Sequence, residues 1–87
     1  MKAYRVNYRV SNKKQWEGHE PWSDVKETEV VEADNKEDAI IFLMDYLSEG
    51  ARNNGYEVEM DENEQNVKIF DGEDLIEVYD FFGVKDE

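Results

Sequence analysis

"DNKEDAIIFLMDYLSEGARNNG", Asp34 to Gly55, is the stretch on which the fold turns, because it alone keeps a helical period with signals at both ends. Asp34 or Asn35 supplies an N-cap, Glu37 or Asp38 stands three residues on to answer it, and acids in the first turn suit the positive end of the helix dipole. Gly55, after two asparagines, supplies a stop in the left-handed conformation. Wound at about 100° per residue, Ala39, Ile40, Phe42, Leu43, Met44, Tyr46, Leu47 and Ala51 fill one continuous arc a little over half the circumference. The opposite face holds Glu37, Asp38, Asp45, Ser48, Glu49 and Arg52, with Ile41 alone among them. So wide an apolar arc predicts a helix laid across a sheet.

The flanking sequence supplies the strands. "KAYRVNYRV", Lys2 to Val10, sends Tyr4, Val6, Tyr8 and Val10 to one side and Arg5, Asn7 and Arg9 to the other, the period of a half-buried strand. "SNKKQWEGHEPWSD", residues 11–24, breaks every period, contains the single proline and reads as a long loop. "VKETEVVEA", residues 25–33, returns to strand character, and its adjacent Val30 and Val31 predict a bulge. After the helix, "YEVEM" sets Val58 and Met60 inward against Glu57, Glu59 and Asp61 outward. "DENEQN" is a polar turn and "VKIF" completes a hairpin. "DLIEVYDFFGV", residues 74–84, fits a strand by alternation and a helix by the spacing of Leu75, Val78, Tyr79 and Phe82; its β-branched and aromatic content favours the strand. The expected architecture is a single α+β domain over residues 1–87, in the order β-β-α-β-β-β, with one antiparallel sheet and one helix packed on one face.

Composition bounds the function. The absence of cysteine excludes disulfides and thiolate metal sites and suits a reducing, cytoplasmic setting. No apolar leader and no run near 20 apolar residues predicts export or membrane insertion. The formal charge of −13 is unevenly placed: residues 1–16 carry Lys2, Arg5, Arg9, Lys13 and Lys14 with no acid, and all 23 acids follow. Such a chain repels nucleic acid and anionic membranes, and a basic protein surface complements it.

Catalytic patterns are missing: no glycine-rich phosphate loop, no GxSxG, no cysteine nucleophile and one histidine. His19 stands between Glu17 and Glu20 on one loop, too close together to close a metal cage. "DENEQN" fails the EF-hand spacing, since the sixth position from Asp61 is Asn66 and the twelfth is Gly72. The reading is therefore a non-enzymatic binder with no cofactor and no metal.

The acids carry the positive side of that reading. "YEVEMDENEQNVKIFDGED", residues 56–74, holds eight carboxylates and one lysine. Glu57, Glu59 and Asp61 project from one side of a strand about 6.6–6.8 Å apart, a row that imitates a line of phosphates. Glu62, Glu64, Asp71, Glu73 and Asp74 extend it, and Asp38, Asp45 and Glu49 on the helix form a second patch in which Ile41 is an apolar contact. The net charge exceeds the magnitude of about 2–8 that solubility asks of a small domain. The competing account makes the acids a solvated face, with Arg5 and Arg9 paired to Glu27 and Glu29 across the sheet. A second binding route runs through an open sheet edge or the loop bearing Trp16 and Trp22, in an assembly module or homodimer.

With a start on "MKAYRVNYRV" and acid-rich "EVEMDENE" and "DGEDLIEVYD" on an α+β frame, the chain resembles, in kind, the small acidic anti-defence proteins of phages and mobile elements, anti-CRISPR DNA mimics among them. The passage "VVEADNKEDAI" is similar to that of many small mobile-element proteins. The resemblance is of type, spans the whole chain and transfers no individual residue. It implies an inhibitor that occupies a basic, nucleic-acid-binding surface of a partner protein without touching nucleic acid itself.

Overall fold

The computed structural model describes residues 1–12 and 23–87. Five strands, β1 (Lys2–Asn12), β2 (Ser23–Ala33), β3 (Glu57–Asp61), β4 (Asn66–Asp71) and β5 (Asp74–Asp86), form one antiparallel sheet, and helix α1 (Lys36–Asn53) packs on one face. The predicted class and element order are those observed. Spatially the strands run β2-β1-β5-β4-β3, so the last strand in sequence is central and the two strands that flank α1 are the edges. The helix must therefore travel from one edge of the sheet to the other, which lays it over the whole face.

Period two explains the strands. Tyr4, Val6 and Tyr8 of β1 are buried beneath α1 with Val31 and Ala33 of β2, Val67 and Ile69 of β4 and Ile76 and Phe81 of β5; Val58 and Met60 of β3 pack at the margin. The ambiguous C-terminal segment is a strand because both of its edges are paired, to β1 and to β4. Its length is accommodated by two irregularities, one between β1 and β5 where Phe82 has no partner, and one between β4 and β5 at Ile76. The bulge expected at Val30–Val31 does not occur: β1 and β2 stay in unbroken register. Instead Val31 is buried at 5% exposure while Val30, at 56%, faces solvent on the other side. The strands also reach further than predicted, taking Ser11 and Asn12 into β1 and Ser23 and Asp24 into β2. His19, Glu17, Glu20, Trp16 and Trp22, on which the metal and aromatic-loop readings rested, lie outside the described residues.

Local signals set the ends of α1. Asn35 is the N-cap, its side chain accepting from the Asp38 amide at 2.8 Å. At the other end Gly55, at φ +87°, donates to the Arg52 carbonyl and Tyr56 to the Ala51 carbonyl, a Schellman closure that needs the left-handed glycine. The hairpin from β4 to β5 turns through Gly72 and Glu73 with a positive φ, +65°, at the first central position only, which suits glycine there.

The buried face of α1 differs from the predicted arc. It comprises Ala39, Ile40, Leu43, Met44, Ser48 and Ala51, so Ser48, expected outside, is inside, its hydroxyl 3.5 Å from the Met60 sulfur. Phe42 and Tyr46, expected inside, are 57% and 67% exposed. The buried face alternates small residues, Ala39, Ser48 and Ala51, with Ile40, Leu43 and Met44, and the two rings are left overhanging its flank.

Candidate partner-binding surface

In an antiparallel ladder, residues directly opposite each other share a face. The register therefore assigns each charged side chain to the helix side or to the open side of the sheet. Arg5 lies opposite Val30 and Lys85, Arg9 opposite Lys26 and Asp80, and Lys68 opposite Glu59 and Val78. These five cations, Arg5, Arg9, Lys26, Lys68 and Lys85, thus belong to the open side, whereas Lys2, opposite Ala33, belongs to the helix side and Lys36 and Arg52 are exposed on α1. Glu27 and Glu29 are opposite Tyr8 and Val6 and belong to the helix side. The expected pairing of Arg5 and Arg9 with these glutamates is therefore wrong, because the two sets stand on opposite faces. Arg5 instead pairs with Glu87 at 3.1 Å.

The acidic stretch 56–74 does not stay together. Glu57, Glu59 and Asp61 are exposed on the open side, as expected of an outward row, but Glu59 faces Lys68 and Glu57 faces Phe70. Asp61 also serves the turn, accepting from the amides of Asn63 and Glu64 at 3.0 Å each. Glu62 and Glu64 sit in the β3–β4 turn, while Asp71, Glu73 and Asp74 cluster at the far end of β4. Six residues of β4 separate those groups, roughly 17–20 Å. What is contiguous in sequence is divided into three in space, and the middle of its row is opposed by a lysine.

The helix patch is more coherent. Asp38, Asp45 and Glu49 are all exposed on the outer surface of α1, with Asp38 and Asp45 about 10 Å apart along the axis and Glu49 about 6 Å beyond. Phe42 and Tyr46, one turn apart, border this stripe on the β2 side, where they and Leu43 and Leu47 line a shallow groove with Tyr8, Glu29 and Val31. Ile41 borders it on the other side, in a second groove that it shares with Glu37, Met44 and Glu62 of the β3–β4 turn. Burial, then the charges of Glu29 and Glu27, push the Tyr8 hydroxyl above its ordinary range, which places both glutamates beside that ring. The surface is therefore three helix carboxylates and two strand carboxylates around two exposed rings, with the exposed Arg52 closing the helix stripe at its C-terminal end. Phe42, Tyr46, Glu27 and Glu29 were missed from sequence; the lone overt signal was the width of the apolar arc, too wide for one helix to bury.

Among the described residues no helix is long and apolar enough to cross a membrane. Nor do any three acids or histidines among them stand close enough to hold a metal ion. Set against protein-family models, curated proteins and solved structures, the chain matches none.

Proposed function

We propose that this protein is a non-enzymatic binder whose helix side meets a basic protein surface, one that otherwise holds nucleic-acid phosphates. The observation that supports it is the sorting of charge. Asp38, Asp45, Glu49, Glu27 and Glu29 stand on the helix side around Phe42 and Tyr46 and outnumber its cations Lys2, Lys36 and Arg52, whereas Arg5, Arg9, Lys26, Lys68 and Lys85 stand on the other side and are interleaved there with Glu57, Glu59 and Asp61. A partner approaching the helix meets carboxylates for its lysines and arginines and exposed rings for its apolar surface, the combination that makes an interface both steered and adhesive. In its sharpest form the proposal is a DNA-mimic inhibitor of the anti-CRISPR kind, acting in the cytoplasm by occupying the phosphate track of its target.

The test is capture of a partner from host lysate under nuclease, followed by competition with duplex DNA. Wild type should hold a basic protein that salt and DNA both release, and reversal of Asp38, Asp45 and Glu49 to lysine should lose it without unfolding. Retention of the same protein by the triple variant, with unchanged salt dependence, would sink the reading.

A second reading has its own observation: among the described residues β2 is paired on one side only, leaving eleven residues of edge. Self-pairing about Thr28 would set Glu27 against Glu29 of a second copy, a like-charge contact, so the edge suits a foreign strand with basic side chains better than a homodimer.

A further inference from the structure

At the C-terminal end of α1 the helix and the sheet part into a groove of about 460 Å³. Tyr46, Tyr56 and Tyr79 line it, with Leu47 and Ile69 as apolar wall. The Schellman closure fixes Tyr56 there, because its amide is tied back to the Ala51 carbonyl at 3.1 Å. Glu77, half-buried, stands in the same groove. The Tyr79 hydroxyl donates to one of its carboxylate oxygens at 2.8 Å, and the Asn12 side-chain amide donates to the other. Both donors are neutral, and among the described residues no lysine or arginine pairs with Glu77. A carboxylate held in place by two neutral donors has two further acceptor positions open. Glu49 at the rim and the negative end of the helix dipole add to the same potential.

We propose that this groove receives a guanidinium, the head of an arginine side chain. Aromatic faces attract a cation, a fixed carboxylate accepts the two parallel N–H groups of the guanidinium fork, and the apolar wall covers the methylene stem. A planar head that stacks and forks at once selects arginine over lysine. Tyr46 and Glu49 belong both to this groove and to the acidic surface of α1, so an arginine of a basic segment lying along the helix would reach it. Only that source for the arginine rests on the proposed function above; the groove's chemistry does not.

The experiment is an NMR titration of the full chain with acetyl-arginine-amide, run beside acetyl-citrulline-amide, its neutral isostere. The arginine derivative should shift the Gly50, Ala51 and Ile76 amides and the Tyr79 ring saturably, and the citrulline derivative should bind at least roughly tenfold more weakly, as expected when a charge-assisted bond is lost. Glu77→Gln should weaken the arginine derivative by a similar factor, and Glu32→Gln, on β2 outside the groove, should leave it unchanged. Equal binding of the two derivatives, or no saturable shift at these residues, would overturn the proposal, and this comparison on the wild type stays decisive if a variant unfolds. No partner protein takes part, so failure here counts against the groove alone, and failure of the charge-reversal experiment counts against the helix-side reading alone.

Discussion

Replacing Met44 and Phe42 separately by alanine tests the rotation of α1, on which the candidate surface depends. Both residues belong to the apolar arc of the sequence, but Met44 is 1% exposed and Phe42 57%. Truncating a fully buried methionine costs about 2–5 kcal/mol in lost burial and cavity. Phe42 has less than half of its surface covered, so the same truncation forfeits about 0.6–1.3 kcal/mol of burial. Alanine's better helix propensity returns roughly 0.5 kcal/mol of that. In a domain of this size 1 kcal/mol moves Tm by about 4–8 °C. Met44→Ala should therefore lower Tm on the order of 10–30 °C, and Phe42→Ala by less than about 8 °C. Urea unfolding should rank the two alike, with Phe42→Ala weakening capture of a basic partner while the fold stands. Equal losses of stability would mean that Phe42 is core and that α1 lies as the sequence arc had it.

Asn35→Ala should cost about 1 kcal/mol, because the amide of Asp38 loses its acceptor, and a urea midpoint equal to that of wild type would deny the cap. Tyr79 is held above the ordinary tyrosine range, by burial first and then by its bond to Glu77, and Tyr8 is held high in the same sense. The unfolded chain then loses these protons first, so their contribution is complete below about pH 10 and falls as pH rises beyond it. Thermal melts should drop steeply above about pH 10, less so in Tyr79→Phe, and a melting temperature that is flat or rising there would contradict the assignment.

The strands were legible because each has a face under the helix and a face in water, and period two records that directly. Which strand lies beside which was not, since alternation is the same whatever the neighbour. Nothing local in "DLIEVYDFFGV" says that it is the centre of the sheet, beyond its poverty in turn residues. The helix was legible as a helix, but its orientation was not. Hydropathy assigns Ser48 to water and Phe42 to the core, whereas the face that α1 seats on the sheet is centred on Ile40, Leu43 and Met44, which takes Ser48 in and leaves Phe42 on the flank. The acidic stretch misled for a related reason. Residues adjacent in sequence share a surface only if no turn intervenes, and two turns divide 56–74. The pairing assumed for Arg5 and Arg9 failed on a parity that only the register supplies.

That same parity lets a chain with a basic first strand present an acidic surface. A helix layer and a sheet stand roughly 10 Å apart, the usual spacing of packed layers. Salt at physiological strength screens exposed charges over about 8 Å. A body approaching the helix therefore meets Asp38, Asp45 and Glu49, with Lys36 and Arg52 as the cations of α1, at contact distance, while the open-face cations lie a layer and a sheet away from it. Had Arg5 and Arg9 stood on the helix side, they would have neutralised Glu27 and Glu29 within a single Cβ spacing and left the surface little to offer a basic partner. Placed on the far side, they offset part of the self-repulsion of a −13 chain without weakening the field at the proposed contact. The compensation is thus carried through the thickness of the sheet, and the charge of the partner-facing side is set by register rather than by composition.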